Sequence, residues 1–102
     1  MDKNWQLQAD AWIGDAVLAL WARLHILQTD DRVDGPKFLR MTSNQFLTAF
    51  GEPTSVEAQI GRVYRDCGES AAFAWIEENI RPLFARQEEN RSRRSNNRTR
   101  VL

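Results

Sequence analysis

Two carboxylates, Asp15 and Glu57, lie where the sequence predicts helices and could act together in chemistry. Asp15 directly follows Gly14 in the segment "AWIGDAVLALWARL", residues 11–24, where eleven of fourteen residues are apolar, counting alanine. An ionised aspartate in such surroundings is costly unless it is paired or binds a metal ion. Hard divalent cations prefer oxygen ligands such as carboxylates.

Each carboxylate also has a plain structural explanation. The first helix could carry one solvent-facing stripe, with Asp15 on it. Thr54-x-x-Glu57 fits a capping box, in which Glu57 would bond the backbone at the start of its own helix. Neither explanation requires a metal ion or a substrate.

The elements that must position these residues are all predicted to be helical. Residues 10–28 form a long first helix whose apolar positions surround it almost completely, which is typical of a buried central helix. A polar loop over residues 28–35 follows. The next segment has Pro36 near its start and Gly51 as its stop, and the run 42–44, Thr-Ser-Asn, has weak helix propensity and could break it in two.

Two further helices complete the predicted fold. The helix in "EPTSVEAQIGRVYRDCG" has one apolar face at spacings of three and four, formed by Val56, Ile60, Val63, Tyr64 and Cys67. Cys67 is therefore expected to be a core thiol. The helix in "ESAAFAWIEENIRPLFARQ" should kink or restart near Arg81 because of Pro82. We expect a compact all-α domain over residues 1–88 and a basic, disordered tail over residues 89–102.

Composition fits one small soluble domain with segregated charge. The chain has 102 residues and a net charge of zero, yet residues 1–90 carry −5 and residues 91–102 carry +5. The single cysteine excludes an internal disulfide and fits a reducing compartment. The N-terminal "MDKNWQLQAD" is not a signal peptide, and Arg23 interrupts the apolar run, so we expect a cytoplasmic protein with no membrane partner.

The segment "DAWIGDAVLALWARLHIL" closely resembles the signature helix of the ribonuclease III superfamily, above all its Mini-ribonuclease III branch. The matching core runs from Ile13 to Leu18 and includes Gly14 and Asp15. The segment "SVEAQIGRVYRD" resembles the second family motif and contains Glu57 and Gly61. A Ser-Asn-x-x-Leu element, formed by Ser43, Asn44 and Leu47, lies between the two, and the resemblance covers roughly residues 8–80.

The resemblance implies a ribonuclease III-type helical endonuclease that hydrolyses double-stranded RNA with Mg²⁺ or Mn²⁺. It assigns Asp15 and Glu57 as the catalytic metal ligands. The larger enzymes have further acids at positions that here are Gln8, Ala11 and Thr54, and the Mini branch also has a small residue at the Ala11 position. Only 41 residues separate Asp15 from Glu57, so a helix and loop common in the family are missing here.

RNA binding must come from basic residues, because the chain leaves no room for a double-stranded RNA-binding domain. The candidates are the tail arginines and two residues near the motif helices: Arg91, Arg93, Arg94, Arg98, Arg100, Lys37 and Arg40. Arginines neutralise phosphates without reading sequence, and the acidic body would otherwise repel RNA. The alternative is a solvated tail that only aids solubility. His25 has no partner motif and is expected to be an ordinary core or surface histidine.

The resemblance also implies a homodimer, in which the signature helices of two subunits pack together. A large apolar residue three positions before the signature aspartate enters the partner, and that position is Trp12, with Ala16 assigned to the same interface. Trp12 could equally be an ordinary core residue. The sequence thus predicts a homodimeric, metal-dependent endoribonuclease. The alternatives are a related RNA-binding or scaffold protein that has lost cleavage, and a helical interaction module with no RNA role.

Overall fold

The first helix, α1, spans Lys3–Asp30 in the computed structural model, which describes the backbone of residues 3–101 and the side chains of residues 3–95. It begins seven residues before the predicted start, because residues 3–9 contain no glycine or proline that would stop the helix. It ends where Asp31 adopts a left-handed backbone conformation with φ 55°. Residues 1, 2 and 102 lie outside the described part.

Five further helices follow: α2 (Gly35–Thr42), α3 (Asn44–Thr48), α4 (Pro53–Cys67), α5 (Glu69–Asn79) and α6 (Arg81–Val101). The described residues contain no strand, so the prediction of an all-α fold is confirmed over this range. Within residues 3–101, no helix combines the length and apolar character needed to cross a membrane.

The helix breaks fall where local side chains cap the backbone. Asp34 accepts a hydrogen bond from the Lys37 amide at 3.0 Å at the start of α2. Ser43 caps α3 by accepting from the Phe46 amide at 3.1 Å, so the predicted break at residues 42–44 is confirmed. Pro82 lies in the first turn of α6, where its missing N–H costs nothing, and the predicted break near Arg81 is also confirmed.

The core forms around one face of α1. Its fully buried members come from α1, α2, α3, α4, α5 and the α5–α6 junction: Leu18, Ala22, Met41, Leu47, Ile60, Ala72, Ile76 and Ile80. The opposite face of α1 is exposed and still apolar, with Trp12, Leu20 and Leu27 open to solvent. The expectation that α1 is buried on all sides is therefore wrong for the single chain, because the other helices cover only one side.

Helix α4 buries the first part of its predicted apolar face and exposes the last. Val56 and Ile60 are buried, whereas Tyr64 and Cys67 are exposed. The prediction of Cys67 as a core thiol is wrong. Cys67 is the last residue of α4, and Gly68, with φ 92°, turns the chain into α5 before the thiol is covered.

Helix α6 continues through Val101, which differs from the disordered tail expected over residues 89–102. No glycine or proline interrupts the chain after Pro82, and the Glu89 carboxylate pairs with Arg93 one turn later. The expected boundary after residue 88 therefore falls within a continuous helix. The side chains of residues 96–102, including Arg98 and Arg100, lie outside the described residues.

Candidate functional site

Helices α1 and α4 cross with their backbones in close contact at two glycines. A Cβ atom on Gly14 would lie 1.7 Å from the carbonyl oxygen of Glu57, and one on Gly61 would lie 1.8 Å from that of Asp10. No side chain fits at such distances, so both positions require glycine at this separation of the helices. The crossing places the start of α4 beside the middle of α1.

Ion pairs between one buried carboxylate and two exposed arginines also link the two helices. The Asp10 side chain is 2 % exposed and lies 2.9 Å from Arg65 Nη1 and 3.7 Å from Arg62 Nε. The Gln6 amide donates to the same carboxylate at 3.3 Å. A buried carboxylate needs such partners. Sequence reasoning missed this contact, since only the tertiary fold brings Asp10 next to α4.

The crossing brings the two candidate ligands together. The Glu57 side chain is hydrogen-bonded to that of Asp15, and the pKa of Glu57 is raised to about 8. The largest cause is burial, followed by the hydrogen bond to Asp15 and by repulsion from the Asp15 and Glu52 carboxylates. At neutral pH this shift favours the protonated, uncharged form of Glu57 beside Asp15. A cation between the two side chains would replace this proton.

An open cleft of about 360 Å³ lies over the pair. Its lining consists of Gln8, Ala11, Trp12, Asp15, Asn44, Thr54 and Glu57. Asn44 and Thr54, which carry side-chain oxygens, line the same cleft as the carboxylates, while no lysine or arginine of the described part lines it. Among the described residues, no group of three or more His, Cys, Asp or Glu side chains could hold a metal ion. Any cation here would depend on two carboxylates, neutral oxygens and water.

The structure contradicts the structural explanation for Glu57, a capping box, and agrees with the one for Asp15, a solvent-facing stripe. Glu57 does not cap its helix, because the Glu52 carboxylate accepts from the Ser55 amide at 2.8 Å and takes that role. The capping-box interpretation is wrong, since Pro53 starts α4 and puts Glu57 beyond the first three positions. Asp15 is exposed, as the solvent-facing stripe predicted, but its neighbour there is the Glu57 carboxyl.

The basic candidates lie away from this cleft. Lys37 Nζ is 2.8 Å from Asp30, and Arg40 makes two contacts with Glu88, at 3.0 and 3.1 Å. These salt bridges neutralise part of the positive charge that was expected to bind RNA. Arg91 and Arg94 line a separate groove beside α2 and α3.

The interface candidates are open to solvent. Trp12 is 79 % exposed and Ala16 is also exposed. At spacings of four and seven, they share a face of α1 with Trp5, Leu20 and Leu27, which are each between 45 % and 47 % exposed. The interpretation of Trp12 as an ordinary core residue is wrong.

His25 lies far along α1 from the acids and does not line their cleft. Its ring stacks on Trp21 with a centroid separation of 5.0 Å, and burial lowers its pKa below 6.5. This agrees with the expectation of a structural histidine.

The chain matches no protein-family model, no curated protein and no solved structure.

Proposed function

We propose that this protein is a divalent-metal-dependent endoribonuclease of ribonuclease III type that cleaves double-stranded RNA as a homodimer. The observation that carries the proposal is the convergence of Asp15 and Glu57 at a glycine-mediated helix crossing. These two residues occupy the acidic positions of the two motifs that resemble the family. In the sequence 41 residues separate them, so no local pattern brings them into contact.

The donor set fits Mg²⁺ or Mn²⁺. Mg²⁺ in proteins is commonly held by one or two carboxylates and retains several waters. When bound, the ion would supply activation of water and stabilisation of charge on the phosphate. Asp15 and Glu57 would hold it on rigid helices, and the open cleft would admit the phosphodiester. Asn44 and Thr54 line the same cleft, and their side chains would orient water beside the carboxylates.

The positions of the absent family acids support the same assignment. Gln8, Ala11 and Thr54, where the larger enzymes carry carboxylates, all line the cleft over Asp15 and Glu57. The location of these positions thus agrees with the family pattern, but only two acids, Asp15 and Glu57, line the cleft. Weaker metal binding than in a site with four carboxylates is expected.

The homodimer is supported by the exposed apolar face of α1. A stripe of large apolar side chains on a small protein favours burial against a partner. Pairing two α1 helices along this face would cover Trp12 and Ala16. It would also supply two acid pairs, one for each RNA strand.

A second candidate is a ribonuclease III-like RNA-binding or scaffold protein that has lost cleavage. The observation that favours it is the lack of a third acidic ligand among the described residues. It would have the same fold, dimer and basic residues, and would differ only in the chemistry at Asp15 and Glu57. The two candidates are therefore separable by one set of assays.

The test uses long duplex RNA with Mg²⁺ or Mn²⁺, with and without chelator. We expect metal-dependent cleavage that falls by orders of magnitude in Asp15→Asn and Glu57→Gln, while duplex binding and helicity survive. Asp66→Asn is the matched control, because Asp66 is an exposed carboxylate on α4 outside the cleft. Asp15→Asn should leave the free energy of unfolding unchanged or raise it, since it removes the negative charge that opposes ionisation of Glu57.

Duplex binding without cleavage in either metal would favour the scaffold protein. A loss of stability in Asp15→Asn and Glu57→Gln together with unchanged cleavage would contradict the catalytic assignment. The absence of any salt-dependent duplex binding would favour the helical interaction module.

A further inference from the structure

Two side-chain contacts hold the first turns of α6 against α2 and α3. Phe84 packs edge-to-face on Phe46, with ring centroids 5.9 Å apart. One turn later, Glu88 Oε2 and Oε1 accept from Arg40 Nε and Nη2 at 3.0 and 3.1 Å. The next turns of α6 then run alongside α2 and α3 without closing on them. A groove of about 610 Å³ remains between these elements.

The polar lining of this groove consists largely of hydrogen-bond donors. Its polar side chains include Arg40, Ser43, Gln45, Asn90, Arg91 and Arg94. Arg91 and Arg94 are three positions apart, so they share a face of α6, and Arg40 on α2 lines the same groove. Both arginines are exposed. Among the described residues that line the groove, Glu88 is the single carboxylate.

The side chains that line this groove can bind the phosphates of a nucleic-acid backbone. The guanidinium fork binds carboxylate and phosphate with the same two-pronged geometry. Hydroxyl and amide side chains also commonly contact phosphate oxygens in nucleic-acid complexes. The Glu88 carboxylate thus occupies, on Arg40, the place that a phosphate would take. Because Arg40 and Glu88 are each only partly exposed, their contact orders both groups before any ligand arrives.

We propose that the groove between α6 and the α2–α3 segment binds the phosphodiester backbone of duplex RNA, and that Glu88 competes with RNA for Arg40. The choice of duplex RNA as ligand rests on the proposed function. The groove is separate from the Asp15–Glu57 cleft, since the two share no lining residue within the described part of the chain. Binding at the groove requires no divalent metal and can therefore be measured with chelator present.

The test measures binding of a fluorescent RNA duplex in chelator over a range of salt concentrations. Glu88→Gln should tighten binding by about threefold, as expected when a weak, partly exposed ion pair no longer opposes the ligand. Glu78→Gln is the matched control, because it removes the same charge from an exposed position outside the groove. If Glu78→Gln tightened duplex binding as much as Glu88→Gln, the proposed competition between Glu88 and RNA for Arg40 would be overturned.

A second pair of variants tests the groove without disturbing the Arg40–Glu88 contact. Arg94→Gln should weaken binding and make the log–log salt slope shallower by about one unit, the value expected when one phosphate is no longer neutralised. Arg86→Gln is its control, since Arg86 is exposed on α6 but does not line the groove. An Arg94→Gln variant that binds like Arg86→Gln would overturn the groove assignment.

The identity of the ligand is tested with vesicles of phosphatidylcholine and phosphatidylserine. Vesicle binding as strong as RNA binding, with the same dependence on Arg94, would overturn the assignment to RNA. Cleavage and groove binding can fail independently. Duplex binding that depends on Arg94 but is not followed by cleavage would contradict the nuclease and support the groove.

Discussion

Gly14 and Gly61 meet across the crossing of α1 and α4, where a Cβ on either glycine would lie 2.9 Å from the backbone nitrogen of the other. This approach is closer than any side chain allows. It fixes the separation of the two helices beside the acid pair. Asp15 directly follows Gly14, and Glu57 lies four residues before Gly61. The acid pair therefore depends on two residues that have no chemistry of their own.

Gly14→Ala should lower the free energy of unfolding by about 1–3 kcal/mol or more, because the added methyl group overlaps the Glu57 carbonyl. This loss of stability should appear although alanine has the higher helix propensity. Gly35→Ala is the control, since a Cβ there would meet nothing within 4 Å. Chemical denaturation of both variants checks this. A Gly14→Ala protein as stable as Gly35→Ala would mean that the helices are not in close contact.

The stability of the metal-free protein should depend on pH through Glu57. Its folded-state pKa of about 8 lies above the ordinary value of 4.5, so the folded protein holds this proton more tightly than the unfolded chain does. The stabilisation from this proton is complete below about pH 4.5 and disappears as the pH rises through about 8.

Glu57→Gln isolates this contribution. The variant should match the wild type near pH 5 and be the more stable of the two near pH 9, because glutamine is not ionised and does not repel Asp15. Denaturation midpoints at a series of pH values in chelator provide the measurement. A stability difference that does not change with pH would show that the two carboxyl groups do not interact.

Trp12→Glu should disrupt the proposed dimer, because it places a charge in an apolar interface. Size-exclusion chromatography with light scattering should give twice the 11.8 kDa chain mass for the wild type. The variant should be a monomer or aggregate. Since Trp12 is 79 % exposed in the single chain, the substitution should leave the helical content unchanged. A wild-type monomer at high concentration would contradict both the dimer and the cleavage of both RNA strands by its two acid pairs.

Deleting residues 91–102 removes five arginines and should weaken duplex binding without unfolding the helical core. Among the side chains that the structure describes, the buried ones all precede position 91, so the circular dichroism melt should change little. The salt slope should become shallower by up to about one unit for each phosphate that the shortened protein no longer neutralises. Unchanged affinity and slope would mean that this segment is only a solvated end.

The sequence by itself determined the helical class and most of the helix breaks. Periodicity, Pro82 and the weak run at residues 42–44 are local signals, and local backbone chemistry decides where a helix starts or stops. The sequence also singled out Asp15 and Glu57, through an acid in an apolar segment and a resemblance between short motifs.

Only the tertiary structure decided which residues meet. The Gly14–Gly61 approach and the burial of Asp10 against Arg65 depend on how α1 and α4 are placed. Periodicity shows that a helix has an apolar face, but it does not show how much of that face the other elements can cover. Trp12 and Cys67 are exposed for this reason, since α4 and α5 cover only one side of α1 and α4 ends at the thiol.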